Sequence, residues 1–247
     1  MFQVLLSLLL LSLAAHTLAD TVEVAVASNF ATPIKSIATA FQKKTGHSLN
    51  PVTGASGKFY VQIQNAAPFE VFLSADDVIP AKLEQENLAV AGSHYTYATG
   101  RLVLWSAKPD LVDEQGNVLK GSGFAHLALA NPKTAPYGAA AEAVLKTMGL
   151  LDNLRPKFVL GENIAQTQQF IASGNAELGF IALSQVEENG TLTAGGSLWR
   201  VPSSLHPAIR QDAVLLTRGK DKPAALAFMT YLKSPEAQAI IKRFGYE

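Results

Sequence analysis

A Gly-Ala-Ser-Gly turn, residues 54–57 within NPVTGASGKFYVQIQNAAP, separates a short strand-like run from a segment with apolar residues at helical spacing. Turns of this kind expose backbone N–H groups, here with the hydroxyl of Ser56, toward an anion. Three more junctions share the pattern. Ser28 and Asn29 follow the run VEVAVA, Pro136 and Tyr137 precede an alanine-rich segment, and Asn163 and Ile164 open NIAQTQQFIASG. Each also has a plain alternative. Ser and Asn ahead of a helix are ordinary N-caps, and Tyr137 can be a partly buried aromatic with its hydroxyl at the surface. Ile164 is a core residue that reaches an anion only through its backbone N–H. Four junctions of one kind favour a common ligand over four separate caps.

Other chemistries fit less well. GASGK lacks the spacing of a phosphate loop, and Phe59 stands where that loop has a hydroxyl after the lysine. Ser56 is not in a G-x-S-x-G elbow, because Lys58 takes the place of the second glycine, and no serine has a lysine three positions on. His16, His47, His94, His126 and His206 are scattered and form no close ligand pair. The adjacent acids Asp76 and Asp77 suit the N-terminus of a helix better than a catalytic pair.

The elements that position these junctions alternate along the chain. TVEVAVAS, FEVFLSA, RLVLWSA, HLALAN, KFVLGE and LGFIALS read as strands, and helical patterns follow most of them. Such alternation implies an α/β chain with parallel sheets covered by helices on both faces. In the first helical pattern Ile34, Ile37, Ala38 and Phe41 form one stripe, and Gly46 is its stop signal. Its start falls near Ser28 and Asn29. All four junctions thus sit at the carboxyl ends of strands, where open α/β sheets bind ligands. The polar stretch AKPDLVDEQGNVLKGSGF reads as a surface excursion.

Residues 1–19, MFQVLLSLLLLSLAAHTLA, have the apolar run and small residues of a secretory signal, with Thr17 and Ala19 placed for cleavage before Asp20. The alternative is an uncleaved anchor, since no Lys or Arg precedes the run. The chain has no cysteine, which excludes disulfides and thiolate metal sites and suits a free soluble protein of a bacterial periplasm. Twenty basic and twenty acidic side chains cancel, with no basic run, so nucleic acid and anionic membranes are poor partners. The 247 residues allow one large domain or two small ones.

VASNFATPIKSIATAFQKKTG, GASGKFYVQIQNAAPFEVFLSADD, NPKTAPYGAAAEAVLKTMG, ELGFIALSQV and MTYLKSPEAQAIIKRFGY together resemble the periplasmic molybdate-binding proteins of ABC transporters, in order and over the whole mature chain. The resemblance implies a two-lobed Venus-flytrap fold of the type II class with two crossovers. One lobe would hold residues 20–99 plus 212–247, the other residues 100–211. It implies a non-enzymatic, monomeric receptor that binds molybdate and also tungstate. The ligand would pass to a membrane permease driven by a cytoplasmic ATPase. No cofactor is implied, and molybdenum enters only within the oxyanion. Carried over by position, the ligands are Ser28, Asn29 and Ser56 from the first lobe, with Tyr137 and the backbone N–H of Ile164 from the second. Some members supply a tyrosine hydroxyl from the strand that here reads GFIALS, where this chain has Ala182. Tyr137 stands where those members have a small residue, so the tyrosine donor is relocated on this reading.

The physical chemistry agrees. A divalent tetrahedral oxyanion only accepts hydrogen bonds, so its site needs hydroxyls, amides and helix N-termini, which compensate its charge inside a closed cleft. A protonated phosphate would need a facing acceptor, and these four turns offer no carboxylate. Sulfate has the same charge and shape as molybdate with shorter bonds, so discrimination rests on cavity size. The remaining alternatives are a binding protein for sulfate or phosphate and a secreted hydrolase using Ser28 or Ser56. Lys58 is expected to steer anions, contact the permease or lie on solvated surface.

Overall fold

The computed structural model describes residues 19–247; the leader, apart from Ala19, lies outside the described residues. Among the described residues no helix is long and apolar enough to cross a membrane.

The chain builds β1 (Thr21–Ala27), α1 (Pro33–Thr45), β2 (Ser48–Gly54), α2 (Ser56–Gln64), β3 (Val71–Leu73), α3 (Val78–Gln85) and β4 (Tyr95–Gly100) before it changes sheet. Beyond Arg101 follow β5 (Leu102–Ser106), β6 (Leu127–Ala130), α4 (Pro136–Thr147), α5 (Leu151–Leu154), β7 (Phe158–Gly161), α6 (Ile164–Ala172) and β8 (Leu178–Ala182). A small ribbon of β9 (Glu187–Glu188) and β10 (Thr191–Leu192) leads to β11 (Ser197–Arg200). The chain then returns through β12 (Ile209–Leu215) to α7 (Pro223–Leu232) and α8 (Pro235–Arg243).

Two five-stranded sheets result, ordered β2-β1-β3-β12-β4 and β11-β5-β8-β6-β7. Neither is purely parallel, as the alternation alone predicts. β12 runs against β3 and β4, and β5 runs against β8 and β11. These are the two strands that arrive from the other sheet, and a strand's direction is set by where the chain comes from, not by its own residues. Both crossovers therefore leave one reversed strand behind. Ile209, Arg210 and Gln211 pair with Gly100, Thr99 and Ala98, so they belong to the first sheet.

Period-two alternation sends the side chains of the first sheet to two cores. Val22, Val24 and Val26 of β1, with Val71, Leu73, Ala213 and Leu215, pack under α1, α7 and α8, while Ala25, Phe72 and Val214 pack with Phe59, Ile63 and Leu83 of α2 and α3. In α1, Ile34, Ile37 and Phe41 of the expected stripe are buried, Ala38 is only half-buried, and Gly46 ends the helix at φ 79°. That left-handed cap favours glycine. The polar excursion after β5 is less superficial than its composition predicts, since Val112, Leu119 and Phe124 are buried in the core of the second sheet. Asp113 organises it by accepting from the N–H groups of Gln115, Asn117 and Val118.

Candidate functional site

Ser28, Asn29, Ser56, Tyr137 and Ile164 are all brought to one small cavity between the two sheets. Ala27, Gly54, Ala55 and Ala75 complete its wall on the first-sheet side, and Ala135 and Pro136 do so on the second. The cavity is small, on the scale of a single small group rather than of a sugar or peptide. No residue that lines it is charged.

The helix starts bear on whether these junctions are caps or a ligand site. α2 begins at Ser56 itself, behind Ala55, and α4 begins at Pro136, behind Ala135; neither start has a side-chain cap. Alanine is among the poorest N-cap residues and forgoes about 1 kcal/mol relative to Ser or Asp. The first N–H groups of a helix have no intrahelical partner, so two uncapped starts at one buried cavity concentrate donors and positive dipole ends there. α6 differs. Asn163 caps it by accepting from the N–H groups of Ala165 and Gln166, which leaves the N–H of Ile164 facing no protein acceptor among the described residues. Ser28 and Asn29, expected at the start of α1, lie instead in a separate turn of 3-10 helix, Ser28–Phe30, and α1 starts at Pro33. That turn also lacks a side-chain cap. Of the four junctions, only Asn163 behaves as an ordinary cap.

Hydrogen bonds show which side-chain donors remain. Ser56 is 1% exposed, and its Oγ accepts from the N–H of Ala75 at 3.0 Å, so its own proton is available. Ser28 Oγ donates across the cleft to Asn163 Oδ1 at 3.3 Å, a long bond to an oxygen that already accepts two N–H groups. Asn29 uses both amide hydrogens elsewhere, donating to Gln211 Oε1 at 2.8 Å and to the Tyr246 hydroxyl at 2.9 Å. The Tyr137 hydroxyl accepts from Gln211 Nε2 at 3.0 Å, above the bare Cα of Gly100. Burial holds the Tyr137 phenol well above its ordinary pKa, so it stays protonated. Tyr137 thus meets the cavity with its hydroxyl engaged at the opposite end of the side chain. Ala182 is buried and donates its N–H to Gln185 Oε1.

The two sides of the cavity touch. Gly57 N–H donates to Thr134 O at 3.0 Å, and Lys58 Nζ pairs with Glu162 at 2.8 Å. Lys58, expected to be free for steering or docking, is therefore committed to a cross-cleft ion pair. A larger groove of about 440 Å³ shares Ala75, Ala135 and Pro136 with the cavity and continues past Asp76, Val78 and Arg210. Asp76 caps the start of α3, as its sequence position predicts, accepting from Ile79 N–H at 2.7 Å. Burial pushes its carboxyl up to about 6. Among the described residues no group of three or more His, Cys, Asp or Glu side chains is placed to hold a metal ion. Gln211, Ser184 and Tyr246, which hold Asn29, carry no sequence signal of their own.

Residues 22–247 match the family described as bacterial extracellular solute-binding protein. The molybdate-binding protein ModA of Azotobacter vinelandii is 59% identical over 95% of this chain and 92% of its own length. The chain belongs to the periplasmic molybdate-binding protein family. A second member of that family, from Rhodobacter capsulatus, is 50% identical over 96% of this chain and 92% of its own length. The solved periplasmic molybdate-binding protein of Azotobacter vinelandii superposes with a TM-score of 0.88 at 44% identity, covering 92% of this chain and 98% of that one. The two-lobed family architecture accounts for the paired sheets.

Proposed function

We propose that this protein captures molybdate outside the cytoplasm, closes around it and delivers it to the membrane permease of an ABC importer. No bond is made or broken in that task. The observation that carries the reading is the convergence of uncapped helix starts, two hydroxyls and no charge on one closed cavity. Such a site suits a dianion that only accepts hydrogen bonds. The donors we assign are the hydroxyls of Ser28 and Ser56 and the backbone N–H groups of Asn29, Tyr137 and Ile164. On this assignment Tyr137 contributes its N–H in place of the hydroxyl. Tungstate, alike in charge and shape, binds the same donors. The protein works as a monomer of two lobes, and because Gly100 and Ile209–Gln211 pair within the first sheet, the first lobe takes residues 20–100 plus 209–247 and the second residues 101–208.

A serine hydrolase finds no support in the geometry. Ser56 pairs with a backbone N–H and Ser28 with Asn163, and no histidine or carboxylate lines the cavity. The deciding experiment is the thermal shift of the mature protein with molybdate, tungstate, sulfate and phosphate in turn. A ligand at a hundred times its Kd adds about 2.7 kcal/mol, or roughly 5–10 °C in Tm. A rise with molybdate and tungstate alone supports the reading. A rise with sulfate or phosphate alone reassigns the ligand, and no rise at all removes the oxyanion site.

A further inference from the structure

Asn29 is gripped from behind by residues outside the cavity lining. Its amide donates to Gln211 and Tyr246, and its carbonyl accepts from Ser184 Oγ at 2.9 Å. The Tyr246 hydroxyl in turn donates to Ser184 Oγ at 2.9 Å. Gln211 is the hub. Fully buried, it accepts at Oε1 from Asn29 and from the Tyr97 hydroxyl at 3.2 Å, and donates from Nε2 to Tyr137. Both ends of its amide are therefore engaged, one toward each sheet.

Backbone features build this contact. The β12 ladder shifts register between Gln211 and Asp212, and a bulge of that kind re-aims a side chain. On the neighbouring strand, where Gly100 pairs with Ile209, a Cβ on Gly100 would fall 2.0 Å from the Tyr137 hydroxyl and 2.5 Å from Gln211 Nε2. Only a residue without a side chain allows the approach. Gln211 thus ties together Asn29 and Tyr137, two residues on opposite walls of the cavity, through side chains that do not themselves supply its free donors.

We propose that Gln211 is a positioning residue for oxyanion binding: it sets the spacing between the Asn29 turn and the start of α4, and with it the size of the anion cavity. The proposal rests on the oxyanion reading above. Because discrimination between molybdate and sulfate depends on size, loss of the hub weakens molybdate binding more than it alters sulfate binding.

The test is titration calorimetry of wild type, Gln211→Met, Tyr137→Phe and the double variant with molybdate and sulfate, well below each Tm. Gln211→Met keeps the length and removes all three side-chain hydrogen bonds, to Asn29, Tyr97 and Tyr137. The expected result is a molybdate Kd raised tenfold or more, a narrowed molybdate-to-sulfate ratio, and a double variant no weaker than the worse single one. Non-additivity of this kind marks residues acting through one network. A folded Gln211→Met variant with a lower Tm but a molybdate Kd within twofold of wild type overturns the proposal, as do fully additive losses. If Gln211→Met does not fold, Tyr137→Phe decides alone, and an unchanged Kd and ratio overturn it. Wild type that binds neither anion removes the oxyanion reading itself, and the positioning role with it.

Discussion

At the scale of single residues, the site separates groups that face the cavity from groups that hold them. Ser56 does both. Its Oγ accepts from Ala75 N–H and keeps a proton for an acceptor, all within a residue that is 1% exposed. Ser56→Ala therefore removes a hydrogen bond to a charged ligand, about 1.5–3 kcal/mol, which is roughly ten- to a hundredfold in affinity. It also leaves the buried N–H of Ala75 without a partner, so the ligand-free protein melts earlier. Calorimetry and a melting curve on the same variant check both parts. Unchanged molybdate affinity would remove Ser56 from the site even if Tm falls. Tyr137 illustrates the other role, because its buried phenol is held by Gln211 while its backbone sits at a helix start. The residue type drew attention to this position, and the donor we propose there belongs to the peptide.

Helices contribute through their ends. α2 and α4 begin behind alanines, and α6 begins with one N–H left over by its own cap. The proposed role of that last group has a direct test, because proline is well tolerated at the first helical position and removes the N–H, along with part of a buried side chain. Asn163 already has extended backbone angles, φ −151° and ψ 173°, which suit the residue before a proline. Ile164→Pro should leave α6 formed by circular dichroism and weaken molybdate by about ten- to a hundredfold. Full affinity in a folded Ile164→Pro protein would sink the backbone assignment. The junctions themselves were legible in the sequence, because strand, turn and helix are contiguous and carry local signals such as Gly54, Pro136 and Asn163. The reversal of β5 and β12 was not, since a strand reads the same in either direction. Nor was the Gln211 hub, whose partner Asn29 lies 182 positions away. One buried amide in a strand announces no partner, and only the fold brings the two together.

For the whole molecule, the proposed function turns on a balance between open and closed lobes, and the contacts across the cleft are ones that would hold the closed state. Gly57 N–H meets Thr134 O, Ser28 meets Asn163, Ser184 meets Asn29 O, and Lys58 pairs with Glu162. A ligand that touches both walls favours this state by its differential affinity. The contacts that do not draw on an assigned anion donor, Gly57 to Thr134, Ser184 to Asn29 and Lys58 to Glu162, add to it and slow release, whereas the Ser28 proton exchanges Asn163 for the anion. Lys58 and Glu162 are 48% and 67% exposed, and exposed pairs contribute about 0.2–1 kcal/mol. Lys58→Ala should then raise the molybdate dissociation rate by at most about fivefold, measured by stopped-flow displacement at low salt. The difference from wild type should fade near 1 M salt, where the Debye length is about 3 Å. Steering makes the opposite prediction for the same variant. A lysine that only attracts the anion lowers the association rate in low salt and leaves dissociation untouched. A slower association with unchanged dissociation would therefore sink the latch and return Lys58 to the role its sequence position suggested. The two rates, taken together, also show whether closure or encounter governs how long the anion stays bound.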